Sequence, residues 1–528
     1  MEPHPILIAG NWRSSNAVST FAAENPSTGA ELPDRYPVSS WADIDAALNA
    51  AVEAAVLLRQ TPPAKIAAFL SRFADLIEAN AEKIVEMAHL ETALPKSPRL
   101  ANVELPRTTN QLRQASAAAL EGAWAMPTID TKLNIRSHLA AIGPVCVMGP
   151  NNFPLAFNAV SGGDFAAAIA AGNPVIAKAH PSHPGTTRLL AETAFAAMNE
   201  LEMPRGMLQL IYHMSREDGL KLVADARIGA TGFTGSRVAG LALKSAADAA
   251  GKPIYLEMSS LNPVIILPGA LRERTDKVAE EFTTSCLASG GQFCTKPGIL
   301  LLLAGEESEQ FLKNLVQRFA AAPPAPLLSR AVGKNLTNSV AKLVDAGAQV
   351  LVGAKSIEAS GSRYQSTLLR VDGRQFLSDA ETFQTEAFGN AAMAIVARDV
   401  DEAKKILAAL DGQLTGGIYT DSHGSDDEIY LKLEPELRRR IGRLLNDKMP
   451  TGVAVTSAMN HGGPYPATGH PGFTAVGIPA SMRRFSQLEC YDNVRAARLP
   501  PDLQDLNPSG KMWRLIDGGW TQADAAGK

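Results

Sequence analysis

The chain has 528 residues, enough for two or three separate cores rather than one. Hydrophobic residues make up 46% and charged residues 20%, the balance of a globular protein in water, and a formal net charge of −4 argues against a nucleic-acid or anionic-membrane partner. The opening "MEPHPILIAGNWRSS" has neither the basic nor the apolar region of a signal peptide, and apolar runs such as "GILLLLAG" are too short to span a bilayer. Four cysteines (Cys146, Cys286, Cys294 and Cys490) are too few for a disulfide framework. A reducing, cytoplasmic setting is expected.

In chain order, "SSWADIDAALNAAVEAAVLL" predicts a helix with Ser40 as its N-cap. "KIAAFLSRFADLIEANAEKIVEMAHL" carries the same apolar spacing over several more turns. From Ile142 the pattern changes. Short strands ("PVCVMG", "PVIAK", "MLQLIY", "GATGF", "PIYLEM") alternate with helices, which predicts a parallel sheet covered on both faces. Such sheets bind ligands at the carboxyl ends of their strands, often on phosphate-accepting helix N-termini. A second α/β unit begins near Ser259 with "PVIILPGA" and continues through "KVAEEFTTSCLA", "GILLLLA" and "EQFLKNLVQRFAAA". "TKLNIRSHLAAIG" and "RRFSQLECYDNV" are strand-like and lie outside both sheets. They are read either as an oligomerisation ribbon or as surface hairpins.

Several stretches carry chemistry. In "SGGQFCTKPG" Cys294 sits among loop formers, where a thiol is accessible; Cys146, inside an apolar strand, fits the usual buried cysteine. In "MGPNNFPLAFN" Asn151 and Asn152 follow a strand end, where an amide either holds the turn or donates to an oxyanion. In "VIAKAHPSHPGT" Lys178 ends a buried strand and needs an anion, either a phosphate or a protein carboxylate. His180 and His183 have HxxH spacing, but two prolines and the lack of nearby ligands argue against a metal site. In "GFTGSRVAG" Gly235 and Ser236 open a helix, a weak anion-site signal without the GxGxxG spacing. In "YLEMSSLNP" Glu257 ends a strand as a turn anchor or a general base. In "TEAFGN" Glu386 and Phe388 stand in a loop, suited to a ribose and a ring, or to plain surface and core.

Together, and in this order along nearly the whole chain, these motifs resemble the aldehyde dehydrogenase superfamily. The resemblance implies an α/β fold of two doubly wound parallel-sheet domains, one Rossmann-like for the cofactor and one catalytic, plus a small β oligomerisation ribbon. It implies Cys294 as nucleophile, Asn152 as oxyanion donor and Glu257 as general base. It assigns Lys178 to the adenosine ribose and phosphate, Gly235 and Ser236 to the pyrophosphate, and Glu386 with Phe388 to the nicotinamide ribose. The expected division is 1–124 with 145–258 for NADP, 259–480 for catalysis, 125–144 with 481–500 for the oligomerisation strands, and 501–528 as a tail.

"KAHPSHPGT", "MSSLNPVIILPGAL", "GGQFCTKPG" and "NHGGPYPAT…FTAVG" look like the 2-oxoglutarate semialdehyde (2,5-dioxopentanoate) dehydrogenases, a branch similar to the NADP-dependent fatty aldehyde dehydrogenases of luminous bacteria. Where NAD-preferring relatives place a glutamate after the strand-end lysine, this chain has Pro181. NADP is therefore expected in preference to NAD, with Arg216 as a second cation or a solvated helix start. A long-chain or broad-range aldehyde is the alternative substrate, and Arg107 and Arg113 are candidate anchors for an acidic one. A cysteine hydrolase would need a histidine paired with Cys294, and no comparable motif supplies one. An inactive cofactor-binding protein is the remaining alternative. The resemblance also implies a homodimer or homotetramer.

Overall fold

The computed structural model describes residues 2–357 and 360–525; Met1, in the expected cofactor domain, and residues 526–528, in the expected tail, lie outside them. The expected first helix spans Trp41–Arg59. The Ser40 side chain accepts from the Asp43 N–H while the Asp43 carboxylate accepts from the Ser40 N–H, a reciprocal cap that satisfies two orphan donors. Helices Pro63–Ala79, Ala81–Thr92 and Leu105–Glu121 follow.

The first sheet has seven strands in the order 254–257, 230–234, 145–148, 175–178, 208–211, 6–8 and 11–13. The first five are parallel, and the two N-terminal strands add antiparallel at one edge. Their register aligns Met148 with Lys178, Lys178 with Ile211, Phe233 with Met148, and Thr234 with Glu257. The chain builds outward from strand 145–148 on one side, then returns to build on the other. The crevice beside its carboxyl end is thus a topological switch point, flanked by the Asn151–Asn152 loop and by Gly235 and Ser236.

A second seven-stranded sheet has the order 349–352, 367–372, 391–397, 299–303, 264–266, 413–419 and 441–446, parallel except for 349–352. It offers the cleft its amino edge, contrary to the expectation that ligands meet carboxyl ends. Only six residues separate Glu257 from Val264, so the carboxyl end of one sheet leads directly to the amino end of the next. Cys294 precedes strand 299–303, and Glu386 precedes strand 391–397.

The two strand-like stretches outside these sheets pair with each other, 135–141 against 486–492 over seven residue pairs. The expected C-terminal tail does not behave as one. Strands 514–516 and 519–521 extend the same sheet, giving the order 486–492, 135–141, 128–130, 514–516, 519–521. Residues 450–480, expected within the catalytic unit, return to the first sheet. Met258 N–H donates to the Ala467 carbonyl, Gly469 N–H donates to Leu256, and Glu257 bridges to Thr468. Phe473, Ala475 and Val476 pack there on Phe153 and Phe157. No helix among the described residues is long and apolar enough to cross a membrane.

Candidate active site

Cys294 lies on a loop built by an unusual backbone. Ser289, Gly290 and Gly291 all have positive φ (49°, 67° and 69°). A Cβ on Gly291 would sit 2.1 Å from the Gly389 carbonyl oxygen, so glycine there lets the Cys294 loop touch the Glu386–Phe388 loop. Gln292 ties this loop to its surroundings: its Oε1 accepts from Leu328 N–H and its Nε2 donates to Ser289. Asn262 Nδ2 donates to the Cys294 carbonyl (2.8 Å) and to the Lys296 carbonyl (2.9 Å). Lys296, fully surrounded by protein, donates to the Ala387 and Ala391 carbonyls.

Asn152 is buried, and its Nδ2 donates to the Gln292 carbonyl at 2.9 Å. A primary amide has two N–H groups, so a second donor remains for an oxygen near Cys294. Glu104 secures this loop. One of its oxygens accepts from Leu155 and Ala156 N–H, while the other pairs with Arg99, which itself donates to the Asn152 carbonyl.

Glu257 is 1% exposed at the end of its strand. Its Oε1 lies 3.0 Å from His461 Nε2, and its Oε2 is buried without a hydrogen-bond partner. The same His461 Nε2 lies 3.5 Å from Cys294 Sγ. The histidine said to be missing for Cys294 is therefore present, and the expectation that none pairs with the thiol is corrected. His461 was visible within "NHGGPYPAT" but had no role there. Burial, and after it the Glu257 carboxylate, hold the Cys294 thiol well above its ordinary pKa. Because a carboxylate only accepts, His461 Nε2 carries its hydrogen toward Glu257, and the same Nε2–H is placed to stabilise a Cys294 thiolate.

The candidate anchors separate. Arg113 is at the surface, paired with Glu78 and Asp75. Arg107, at the start of its helix, faces inward. Its Cζ is 5.2 Å from the Phe157 ring centre and 5.6 Å from that of Phe153, and the charges of Cys294 and Glu257 both act on it. Its Nε and Nη2 are buried and unpartnered, because the nearby Glu104 is already taken by Arg99 and two amides.

Of the expected cofactor residues, Lys178, Gly235, Ser236 and Arg216 lie at or after strand ends of the first sheet, and Glu386 and Phe388 lie on the loop before strand 391–397 of the second. Lys178 has no carboxylate partner among the described residues, and burial pushes its pKa down to about 8. That is the state of a lysine awaiting an anion. Gly235 N–H donates to the Glu257 carbonyl, and Ser236 caps helix Arg237–Ala249 through Ala239 N–H. The N-terminus of that helix is open to solvent and suits a diphosphate. Arg216 is exposed at the first position of helix Arg216–Ala224 and makes no ion pair among the described residues. Glu386 is coupled to Lys296 and to Cys294, burial raises its pKa, and Phe388 is half-buried beside it. These residues fit a nicotinamide dinucleotide. His180 and His183 stack at 5.4 Å, burial lowers both pKa values, and His183 Nε2 faces the Pro150 carbonyl, a structural arrangement. Replacing Lys178 with Met is expected to raise the KM for NADP about tenfold or more with kcat nearly held, since a charge-assisted hydrogen bond is worth about 1.5–3 kcal/mol. Initial-rate kinetics checks this.

Comparison with known proteins gives the family and the fold. The family model described as "Aldehyde dehydrogenase family" matches residues 12–434. Alpha-ketoglutaric semialdehyde dehydrogenase 2 of Azospirillum brasilense is 37% identical over 97% of this chain and 98% of its own length. Alpha-ketoglutaric semialdehyde dehydrogenase of Acinetobacter baylyi is 36% identical over 91% of this chain and 92% of its own. The crystal structure of lactaldehyde dehydrogenase from Escherichia coli shares the fold, with a TM-score of 0.80 at 21% identity over 93% of this chain and 98% of that one. The chain belongs to the aldehyde dehydrogenase family.

Proposed function

We propose that this oxidoreductase converts 2-oxoglutarate semialdehyde to 2-oxoglutarate, with NADP in preference to NAD. The observation that carries the substrate is Arg107: a buried guanidinium with two unpartnered nitrogens, close enough to the nucleophile for their charges to interact. A buried cation without a partner is costly, and a substrate carboxylate is the natural one. The two relatives named alpha-ketoglutaric semialdehyde dehydrogenase support the same substrate.

The residues act as follows. Cys294 loses its proton to solvent, and the thiolate, stabilised by the His461 Nε2–H, attacks the aldehyde carbon. The oxyanion of the thiohemiacetal is held by the free Asn152 N–H and the Cys294 backbone N–H. When bound, the nicotinamide dinucleotide supplies the hydride acceptor. After oxidation the acyl group remains on Cys294 as a thioester. The unpartnered Oε2 of Glu257 then draws a proton from water, which cleaves the thioester and frees the acid.

The NADP preference rests on Pro181 in place of a carboxylate and on the free charge of Lys178. Burial, and after it the Lys178 charge, lower the pKa of His213, and Arg216 follows three residues later in the chain. A cytoplasmic setting is supported by four free cysteines. A homodimer or homotetramer is supported by the five-stranded sheet, whose edge strand 486–492 carries Leu488 72% exposed. The test compares kcat/KM for the semialdehyde and a long-chain aldehyde, each with NADP and NAD. An advantage of about tenfold, or ~1.4 kcal/mol, for the keto-acid aldehyde and for NADP is expected. Preference for the long-chain aldehyde would overturn the substrate, and preference for NAD would overturn the cofactor.

A further inference from the structure

The point where Cys294, His461 and Glu257 converge is shaped for more than a proton. One sulfur, one imidazole nitrogen and one carboxylate oxygen all lie within 4.8 Å of one another. Among the described residues no other trio of Cys, His, Asp or Glu is gathered this closely. The Sγ–Nε2 separation is 3.5 Å and the Nε2–Oε1 separation is 3.0 Å. Zinc bonds of about 2.3 Å to sulfur and about 2.0 Å to nitrogen or oxygen put tetrahedral ligands about 3.3–3.6 Å apart. The sulfur–nitrogen spacing already falls in this range, and the nitrogen–oxygen spacing reaches it when the Glu257 side chain moves by a few tenths of an ångström.

We propose that Cys294, His461 and Glu257 form a binding site for a zinc-class divalent cation, and that the bound ion reversibly silences the enzyme. Three protein ligands of mixed S, N and O character, with the fourth position facing the substrate space, are the donor set such an ion prefers. Glu257 is 1% exposed and its Oε2 is buried without a hydrogen-bond partner, so a carboxylate oxygen is left free to serve as a ligand. Binding breaks the Cys294 S–H bond, forms the metal–sulfur bond and releases the proton to the buffer. The imidazole carries its hydrogen on Nδ1 instead of Nε2 and stays neutral, and the thiolate and carboxylate balance the two positive charges. The ion occupies the nucleophile's lone pair, so no thiohemiacetal can form while it is bound. Its occupancy does not depend on which aldehyde the enzyme oxidises.

The test is titration of the full-length enzyme with Co²⁺, without aldehyde or cofactor. A thiolate-to-cobalt charge-transfer band and the intense visible bands of four-coordinate cobalt are expected at one ion per chain. The charge-transfer band should vanish in Cys294→Ser and persist in Cys490→Ser, which alters the exposed cysteine. His461→Asn and Glu257→Gln each remove a ligand and should weaken binding by more than the roughly tenfold that loss of an outer supporting group alone costs. Zinc should displace cobalt and stop oxidation in the wild type, with activity returning on chelation. Absence of the charge-transfer band, its survival in Cys294→Ser, or its loss in Cys490→Ser would overturn the assignment. Inhibition that a chelator fails to reverse would overturn it as well. Circular dichroism of each variant separates loss of a ligand from loss of fold.

Discussion

Glu257→Gln is expected to leave a single burst of reduced cofactor and then nearly no turnover. The steady-state rate should fall by about 10³-fold, within the range general-base removal produces. Glu257 has one oxygen on His461 and one free, so its carboxylate serves two steps unequally. Glutamine keeps a polar contact with His461 Nε2, so acylation of Cys294 slows only modestly. It cannot accept a proton from water, so the thioester persists. Stopped-flow absorbance of the reduced nicotinamide, at enzyme concentrations high enough to see one turnover, distinguishes the two. A burst abolished in proportion to the steady-state rate would move Glu257 from hydrolysis to thiol activation.

The residues proposed for these steps were unequally visible in the sequence. Cys294 stood out because glycine, glutamine, threonine and proline surround it, a context that buried cysteines such as Cys146 lack. Glu257 and Lys178 stood out because each puts a charge at the end of an apolar strand, and the parallel register then brings the strand ends to one edge. His461 is 167 residues from Cys294 and 204 from Glu257, in a Gly- and Pro-rich segment with no periodicity. What brings it home is the return of that segment to strand 254–257, a pairing fixed by backbone hydrogen bonds that any sequence could make. The C-terminal strands were missed for a different reason. Each is three residues long, too short for an alternating pattern. The signal was present in Asp517 and Gly518, both at positive φ between paired Ile516 and Gly519, as a tight two-residue hairpin requires.

Arg107 and Arg113 were equivalent in sequence, two cations six residues apart in "LPRTTNQLR", and their partners alone tell them apart. Arg113 has two surface carboxylates and no reason to meet substrate. Arg107 has aromatic faces and two nitrogens without a partner. Replacing Arg107 with Leu is therefore expected to act on substrate choice. Removing one partner of a buried ion pair costs about 3–5 kcal/mol. That corresponds to a loss of roughly 10²–10⁴ in kcat/KM for the carboxylate-bearing semialdehyde. An uncharged aldehyde of the same length never engages the guanidinium, so its kcat/KM should hold or rise as the buried charge disappears. Arg107→Lys keeps the charge but loses the planar fork, and should recover only part of the loss. Equal losses for both aldehydes would show that Arg107 serves to pack Phe153 and Phe157 rather than to bind a carboxylate. Selectivity is therefore the decisive readout, since a misplaced aromatic wall slows every aldehyde and a missing cation slows only the charged one.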